Sequence, residues 1–315
     1  MDKKSSTIHP ELQRAAKKIP TISVSSKNLW FINALMPLLR APKAPEDILA
    51  ENVLIPHPDN RTTTRLRIYK PKSISTPVPV LLWLHGGGYI MGKPEMDEQN
   101  CIEYVREAGI VVVSVDYRCA PKYPFPTALE DSYLALKWVV ARSEQLNVDP
   151  NRIAIGGASA GAGLAAALVQ CAYDRQEIKP VFQLLIYPML DDRTVLRTDI
   201  NDGDYLVWTP KSNRFGWESY LGTKCGADNA AAYSVPARRE DLSGLPPAWI
   251  GVGELDLFYD EDMAYAKRLK ECGVECEMSI LPGVFHGFDA VASQAPIVRE
   301  FRNSQLAALR KYLFP

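Results

Sequence analysis

Apolar residues in this chain gather into short dense blocks. Val78-Pro79-Val80-Leu81-Leu82-Trp83-Leu84 and Ile110–Val115 are apolar almost throughout, which predicts strands buried on both faces. Arg65–Tyr69, Arg152–Ile155, Val181–Tyr187, Ala248–Val252 and Glu275–Leu281 read as further strands. Helical patterns lie between most of them, notably at Ala128–Gln145, Ser159–Tyr173, Glu261–Cys272 and Gln294–Tyr312. Strand and helix in alternation predict an α/β fold, with a mostly parallel central sheet covered by helices on both faces. No internal repeat is evident.

Two segments break the alternation. Residues 1–50 carry Leu29-Trp30-Phe31-Ile32 and Leu35-Met36-Pro37-Leu38-Leu39. Residues 190–235 carry Trp208, Phe215, Trp217 and Tyr220 amid Asp191-Asp192 and Asn201-Asp202-Gly203-Asp204. The expected catalytic core is therefore residues 51–189 and 236–315.

Composition narrows the function classes. With 315 residues, 47% of them hydrophobic and 23% charged, the chain can bury one large core. Lys and Arg number 36 against 37 Asp and Glu, a formal charge of −1 with no dense basic block, so a nucleic-acid partner is not expected. The apolar runs are too short to span a bilayer, and no stable membrane association is expected. The polar start Met1-Asp2-Lys3-Lys4-Ser5-Ser6 lacks a signal-peptide core, which favours a cytoplasmic enzyme. Cys101, Cys119, Cys171, Cys225, Cys272 and Cys276 show no C-x-x-C spacing, so free thiols and no metal site are expected. In that setting the sequon Asn60-Arg61-Thr62 carries little weight.

Chemistry enters at Gly157-Ala158-Ser159-Ala160-Gly161, which follows the strand-like run Arg152–Ile155 and opens an alanine-rich helix. A serine on a sharp strand-to-helix turn, with glycines two residues away on both sides, reads as a nucleophile elbow. A second motif, His85-Gly86-Gly87-Gly88, directly follows another strand. Its free N–H groups could converge with that of Ala160 to hold the negative oxygen of a tetrahedral intermediate. Serine needs a base. His9 and His57 lie in polar, turn-rich stretches and are expected at the surface, while His85 shapes the glycine loop. That leaves His286, in Pro282-Gly283-Val284-Phe285-His286-Gly287-Phe288 after the last strand. The base needs a carboxylate on its other nitrogen. Asp256, after the strand Ala248–Val252, is preferred, with Glu254 as competitor; Asp260, Glu261 and Asp262 are expected to cap the next helix. The order Ser159, Asp256, His286 is that of the hydrolase fold. All reacting groups come from the chain, so no metal or organic cofactor is expected.

These residues resemble the hormone-sensitive-lipase-like esterases and lipases of the α/β-hydrolase fold, from about Pro79 to the C-terminal helix. Further motifs carry the resemblance: Asp116-Tyr117-Arg118-Cys119-Ala120-Pro121, then Pro124-Phe125-Pro126, Leu129-Glu130-Asp131 and Trp217-Glu218-Ser219-Tyr220-Leu221-Gly222. The resemblance implies a serine carboxylesterase with Ser159, Asp256 and His286 as triad and the N–H groups of Gly87, Gly88 and Ala160 as oxyanion hole. It also implies that residues 1–50 and 190–235 form a helical cap, whose apolar and aromatic side chains would line a pocket and exclude water. The expected partner is a small-molecule ester, and a homodimer is left open. Three positions depart from the family pattern. Ala158 stands where aspartate or threonine is common, Leu257 where proline follows the acid, and Cys119 where leucine is usual. A lactone or amide hydrolase using the same triad, or a ligand-binding protein on the same scaffold, are the rival readings; receptors of that second kind lose a triad member, usually the histidine.

Overall fold

The computed structural model describes residues 7–20, 22–38, 43–58 and 62–315. The polar start Met1–Ser6, Leu39 of the second apolar block, and Asn60 and Arg61 of the sequon lie outside these residues. Among the described residues eight strands form one sheet: β1 Ile48–Pro56, β2 Thr63–Pro71, β3 Val78–Leu84, β4 Val111–Asp116, β5 Val148–Ala158, β6 Phe182–Ile186, β7 Ala248–Gly253 and β8 Cys276–Leu281, in the order β1-β2-β4-β3-β5-β6-β7-β8. The β1–β2 and β2–β4 pairs are antiparallel and every later pair is parallel.

The centre of the sheet explains the unbroken apolar runs. Val80, Leu82 and Leu84 of β3 join Val111, Val113 and Val115 of β4 and Ile153 and Ile155 of β5 in one core. Leu81, Trp83, Val112 and Ala154 point the other way, into a second core. Successive side chains in a strand alternate faces, so a strand with helices above and below has no polar face. The helices are α1 Gln13–Ala16, α2 Leu29–Leu35, α3 Glu98–Ala108, α4 Thr127–Ala141, α5 Ser143–Leu146, α6 Ala160–Arg175, α7 Pro210–Leu221, α8 Tyr259–Glu271, α9 Phe288–Val291 and α10 Pro296–Leu313. In α6 every residue from Ala160 to Ala172 is buried. Its small alanines and glycines let it lie close to both the sheet and α4.

All seven expected strands are present, their ends shifted by up to four residues. Strand β1 was not expected, and it corrects the boundary at residue 50, because Ile48–Ala50 already belong to the sheet. It is an edge strand with a single neighbour, and it leaves Leu49 and Leu54 exposed beside Glu51 and Asn52. A half-solvated edge needs no continuous apolar run, so the pattern that revealed the inner strands is missing. Helix α8 starts at Tyr259, earlier than expected, and this changes the reading of its acids. Asp260 pairs with Arg197 at the surface. Glu261 is buried and accepts from the Leu190 N–H at 2.7 Å, the Asp191 N–H at 3.1 Å and the Thr194 hydroxyl, so it ties down the loop after β6. Asp262 is fully buried, and burial drives its carboxyl well above the usual range. Glu261 and Asp262 are interior groups, not surface caps.

Candidate active site

The residues singled out in the sequence meet at the C-terminal ends of neighbouring strands. Ser159 follows β5, the glycine loop follows β3, Asp256 follows β7 and His286 follows β8. In an open parallel sheet this edge is where ligands bind.

Ser159 has φ +57° and ψ −124°, a conformation that costs a non-glycine residue roughly 1–3 kcal/mol. Hydrogen bonds hold it there. Its N–H donates to Ile186 O at 2.9 Å, and its carbonyl accepts from Gly163 at 3.0 Å and Met189 at 3.1 Å. The flanking glycines are sterically required. A Cβ on Gly157 would lie 2.5 Å from Leu84 O, and one on Gly161 only 2.1 Å from the same oxygen. The elbow can therefore pack against β3 only with glycine at both places.

His286 Nε2 lies 2.9 Å from Ser159 Oγ, and its Nδ1 lies 2.8 Å from Asp256 Oδ2. The other oxygen of Asp256 accepts the Phe258 N–H at 2.9 Å. Ser159, Asp256 and His286 are 7%, 1% and 5% exposed, so the chain of hydrogen bonds is almost entirely out of water. Glu254 is not part of it; its backbone N–H bonds Leu281 O at 3.0 Å, and its half-exposed side chain makes no ion pair with His286.

Gly87 and Gly88 turn the loop after β3 with φ of +123° and +59°. Among the described residues no hydrogen bond uses the N–H of Gly87, Gly88 or Ala160 as donor, so all three remain available. His85 shapes this loop as expected. It is buried and stacked on Tyr117 at 4.2 Å, its Nδ1 is 2.8 Å from Gly86 O, and Tyr117 donates its hydroxyl to His85 O at 2.6 Å. Burial lowers its pKa and keeps the ring neutral. His9 and His57 correct the surface assignment. His9 is half-buried, its N–H bonded to Gly283 O, and His57 packs inward with Nε2 2.8 Å from Thr64 Oγ1. Neither contacts Ser159.

The aromatic segment 190–235 divides by role. Trp217 and Tyr220 are fully buried against Tyr89 and hold α7 to the core. Trp208 lies over the glycine loop, so close that a Cβ on Gly88 would meet its Cη2 at 2.0 Å. Ser23 Oγ to Thr209 Oγ1, 2.8 Å, and Val24 N–H to Ser212 Oγ, 2.8 Å, join the N-terminal segment to this one. Beside them an open groove of about 1000 Å³ runs past Val24, Phe31, Ile32, Val207 and Val291. It approaches the site at Val207, which packs against Gly287, next to His286. Sequence reasoning missed Tyr187 and Phe258, whose rings touch His286. The fixed spacing of Phe258 from Asp256 was the one signal that could have found it.

Gly88 offers a test of the loop. Gly88→Ala should lower kcat by about 10²–10³, because the loop must shift away from Trp208 and take its N–H with it. Gly109 also has a positive φ, +68°, but a Cβ there meets nothing within 4 Å. Gly109→Ala should lose stability while keeping kcat; equal kcat in both variants would refute the role given to the loop.

The family described as the alpha/beta hydrolase fold matches residues 81–290. The chain belongs to that family, in the hormone-sensitive-lipase-like branch that its motifs resemble. It is 34% identical over 290 residues to the carboxylesterase NlhH of Mycobacterium tuberculosis, covering 87% of this chain and 88% of that one. It is 31% identical to an ethyl acetate hydrolase of Pseudomonas putida over 73% of each chain. Among solved structures, a bacterial heroin esterase superposes with a TM-score of 0.90 at 35% identity, covering 98% of this chain and 99% of that one.

Proposed function

We propose that the chain is a serine carboxylesterase that hydrolyses short- to medium-chain carboxylic esters through an acyl-enzyme. One observation carries this reading: the unbroken contact from Ser159 Oγ through His286 to Asp256. Ser159 Oγ attacks the ester carbonyl carbon as its proton passes to His286 Nε2. Asp256 faces the imidazolium at Nδ1. The carbonyl oxygen, now negative, sits among the N–H groups of Gly87, Gly88 and Ala160. Collapse expels the alcohol, which takes the proton from Nε2; water then repeats the sequence on the acyl-enzyme. The carboxylesterase and ethyl acetate hydrolase among its relatives support ester over lactone or amide. An organophosphonate should label Ser159 alone, and an adduct on another serine would refute the assignment.

Segments 7–47 and 190–235 are read as the cap. Trp208 over Gly88 and Val207 against Gly287 crowd the loops beside the serine, and we read this crowding as favouring small acyl groups. Among acyl esters of rising length, kcat/KM should peak at short to medium chains. A maximum at long chains, with activation at an oil–water interface, would make the protein a lipase. That alternative has one feature in its favour: the structure exposes Trp30, Phe31, Leu35 and Leu38 along α2 and its end, an apolar patch the sequence pattern did not lead us to expect. No helix among the described residues is long and apolar enough to cross a membrane. A cytoplasmic location is part of the same proposal.

A further inference from the structure

The imidazole of His286 sits between two rings. Phe258 meets it at 5.1 Å and 88°, and Tyr187 at 4.7 Å and 64°. Phe258 is fixed by its place two residues after Asp256. Tyr187 is held differently. It follows β6 with φ +35°, an unfavourable conformation for a bulky side chain, and its N–H bonds Gly251 O at 2.7 Å. Its hydroxyl donates to Asp289 Oδ1 at 2.7 Å. Asp289 lies three residues beyond His286, at the start of α9, and is 3% exposed. A carboxylate so deeply buried is costly without a partner, and Tyr187 is the partner. The loop that carries His286 thus also carries the acid that anchors the ring packed on it. Burial and this carboxylate hold the Tyr187 phenol well above its ordinary pKa, so it remains a donor throughout the working pH range.

We infer that Tyr187 and Asp289 act as one unit that positions the His286 ring between Ser159 and Asp256. The inference rests on the proposed esterase mechanism. Among the described residues, a small set of other titratable groups lies near this unit. Asp256 and Asp97 are within electrostatic reach of Tyr187, Tyr104 of α3 and Asp97 are within reach of Asp289, and Asp97 accepts the Trp83 indole N–H at 2.8 Å. Desolvation pushes the Asp97 carboxyl up to about 7, so Asp97→Asn serves as a control for its own contribution to any pH profile.

The test uses plateau kcat, KM and the pH midpoint of kcat/KM, with the thermal midpoint recorded for each variant. Tyr187→Phe and Asp289→Ala should each lower plateau kcat roughly tenfold with KM little changed, as expected for loss of one orienting hydrogen bond. The double variant should be no worse than either single one, because one contact has been removed from both sides. Asp289→Asn keeps an acceptor oxygen and should restore most of kcat. It removes a negative charge, so its pH midpoint should fall by roughly half a unit. Variants that lose thermal stability but keep kcat and the pH midpoint would overturn the inference, as would losses that multiply in the double variant. Absent ester turnover in the wild-type protein, or turnover that survives Ser159→Ala, would instead strike the mechanism beneath it.

Discussion

Ser159→Ala and His286→Ala should each reduce kcat by about 10⁴–10⁶ while the protein stays folded, and the double variant should be no slower than either. The size follows from the geometry. Ser159 Oγ and His286 Nε2 are 2.9 Å apart in a site nearly closed to water, so the proton leaving the serine has one acceptor. Without the imidazole the hydroxyl is a weak nucleophile; without the hydroxyl the imidazole has no proton to accept. Either deletion therefore removes the same step, which is why the losses should not add. The activity that remains would come from the oxyanion donors and substrate binding. Folding should survive, because the bonds that hold the elbow use backbone groups: the Ser159 N–H to Ile186 O, and the Ser159 carbonyl with Gly163 and Met189. Alanine keeps all of them, and relieves none of the strain at φ +57°. Steady-state kinetics with an activated acetate ester, together with thermal melts, check both halves. Near-normal turnover in Ser159→Ala, or additive losses in the pair, would refute the mechanism.

What was legible in the sequence follows a physical rule. Strands β3, β4 and β5 could be read because both faces of their central stretches are buried, and burial on both faces favours apolar residues at nearly every position there. Edge strand β1 escaped because one neighbour and a solvated side impose no such pattern. The elbow and the glycine loop could be read because contact of backbone with backbone excludes any Cβ at Gly157 and Gly161. Contacts that depend on side chains from distant elements left no local trace. Glu261 looked like a helix cap, yet it reaches Leu190 and Asp191 across the fold. Tyr187 and Asp289 are 102 positions apart and became visible only once β6 and the His286 loop were brought together. Trp208 and Trp217 stand in the same aromatic segment, yet one covers Gly88 and the other packs on Tyr89.

Asp256→Asn should lower kcat by about 10⁴, whereas Glu254→Gln should change it little. Two acids stand two residues apart after β7, and they differ in what their side chains meet. Asp256 is 1% exposed, with one oxygen on the Phe258 N–H and the other on His286 Nδ1. That second contact requires Nδ1 to carry the proton, which leaves Nε2 free to accept one from Ser159. Asparagine has nearly the same shape, and its oxygen can still take the Phe258 N–H. Its NH₂ would then face Nδ1 and demand an acceptor there. The ring would respond by carrying its proton on Nε2, the nitrogen that must be free for catalysis. The imidazolium formed later would also lose its carboxylate. Glu254 has neither contact, so its amide should be tolerated. The discriminating measurement is kcat for the two variants beside their melting temperatures, since Asp256→Asn should lose activity far out of proportion to stability. If Glu254→Gln were the crippled variant and Asp256→Asn the mild one, the acid would be Glu254, and the loop after β7 would have to rearrange during turnover.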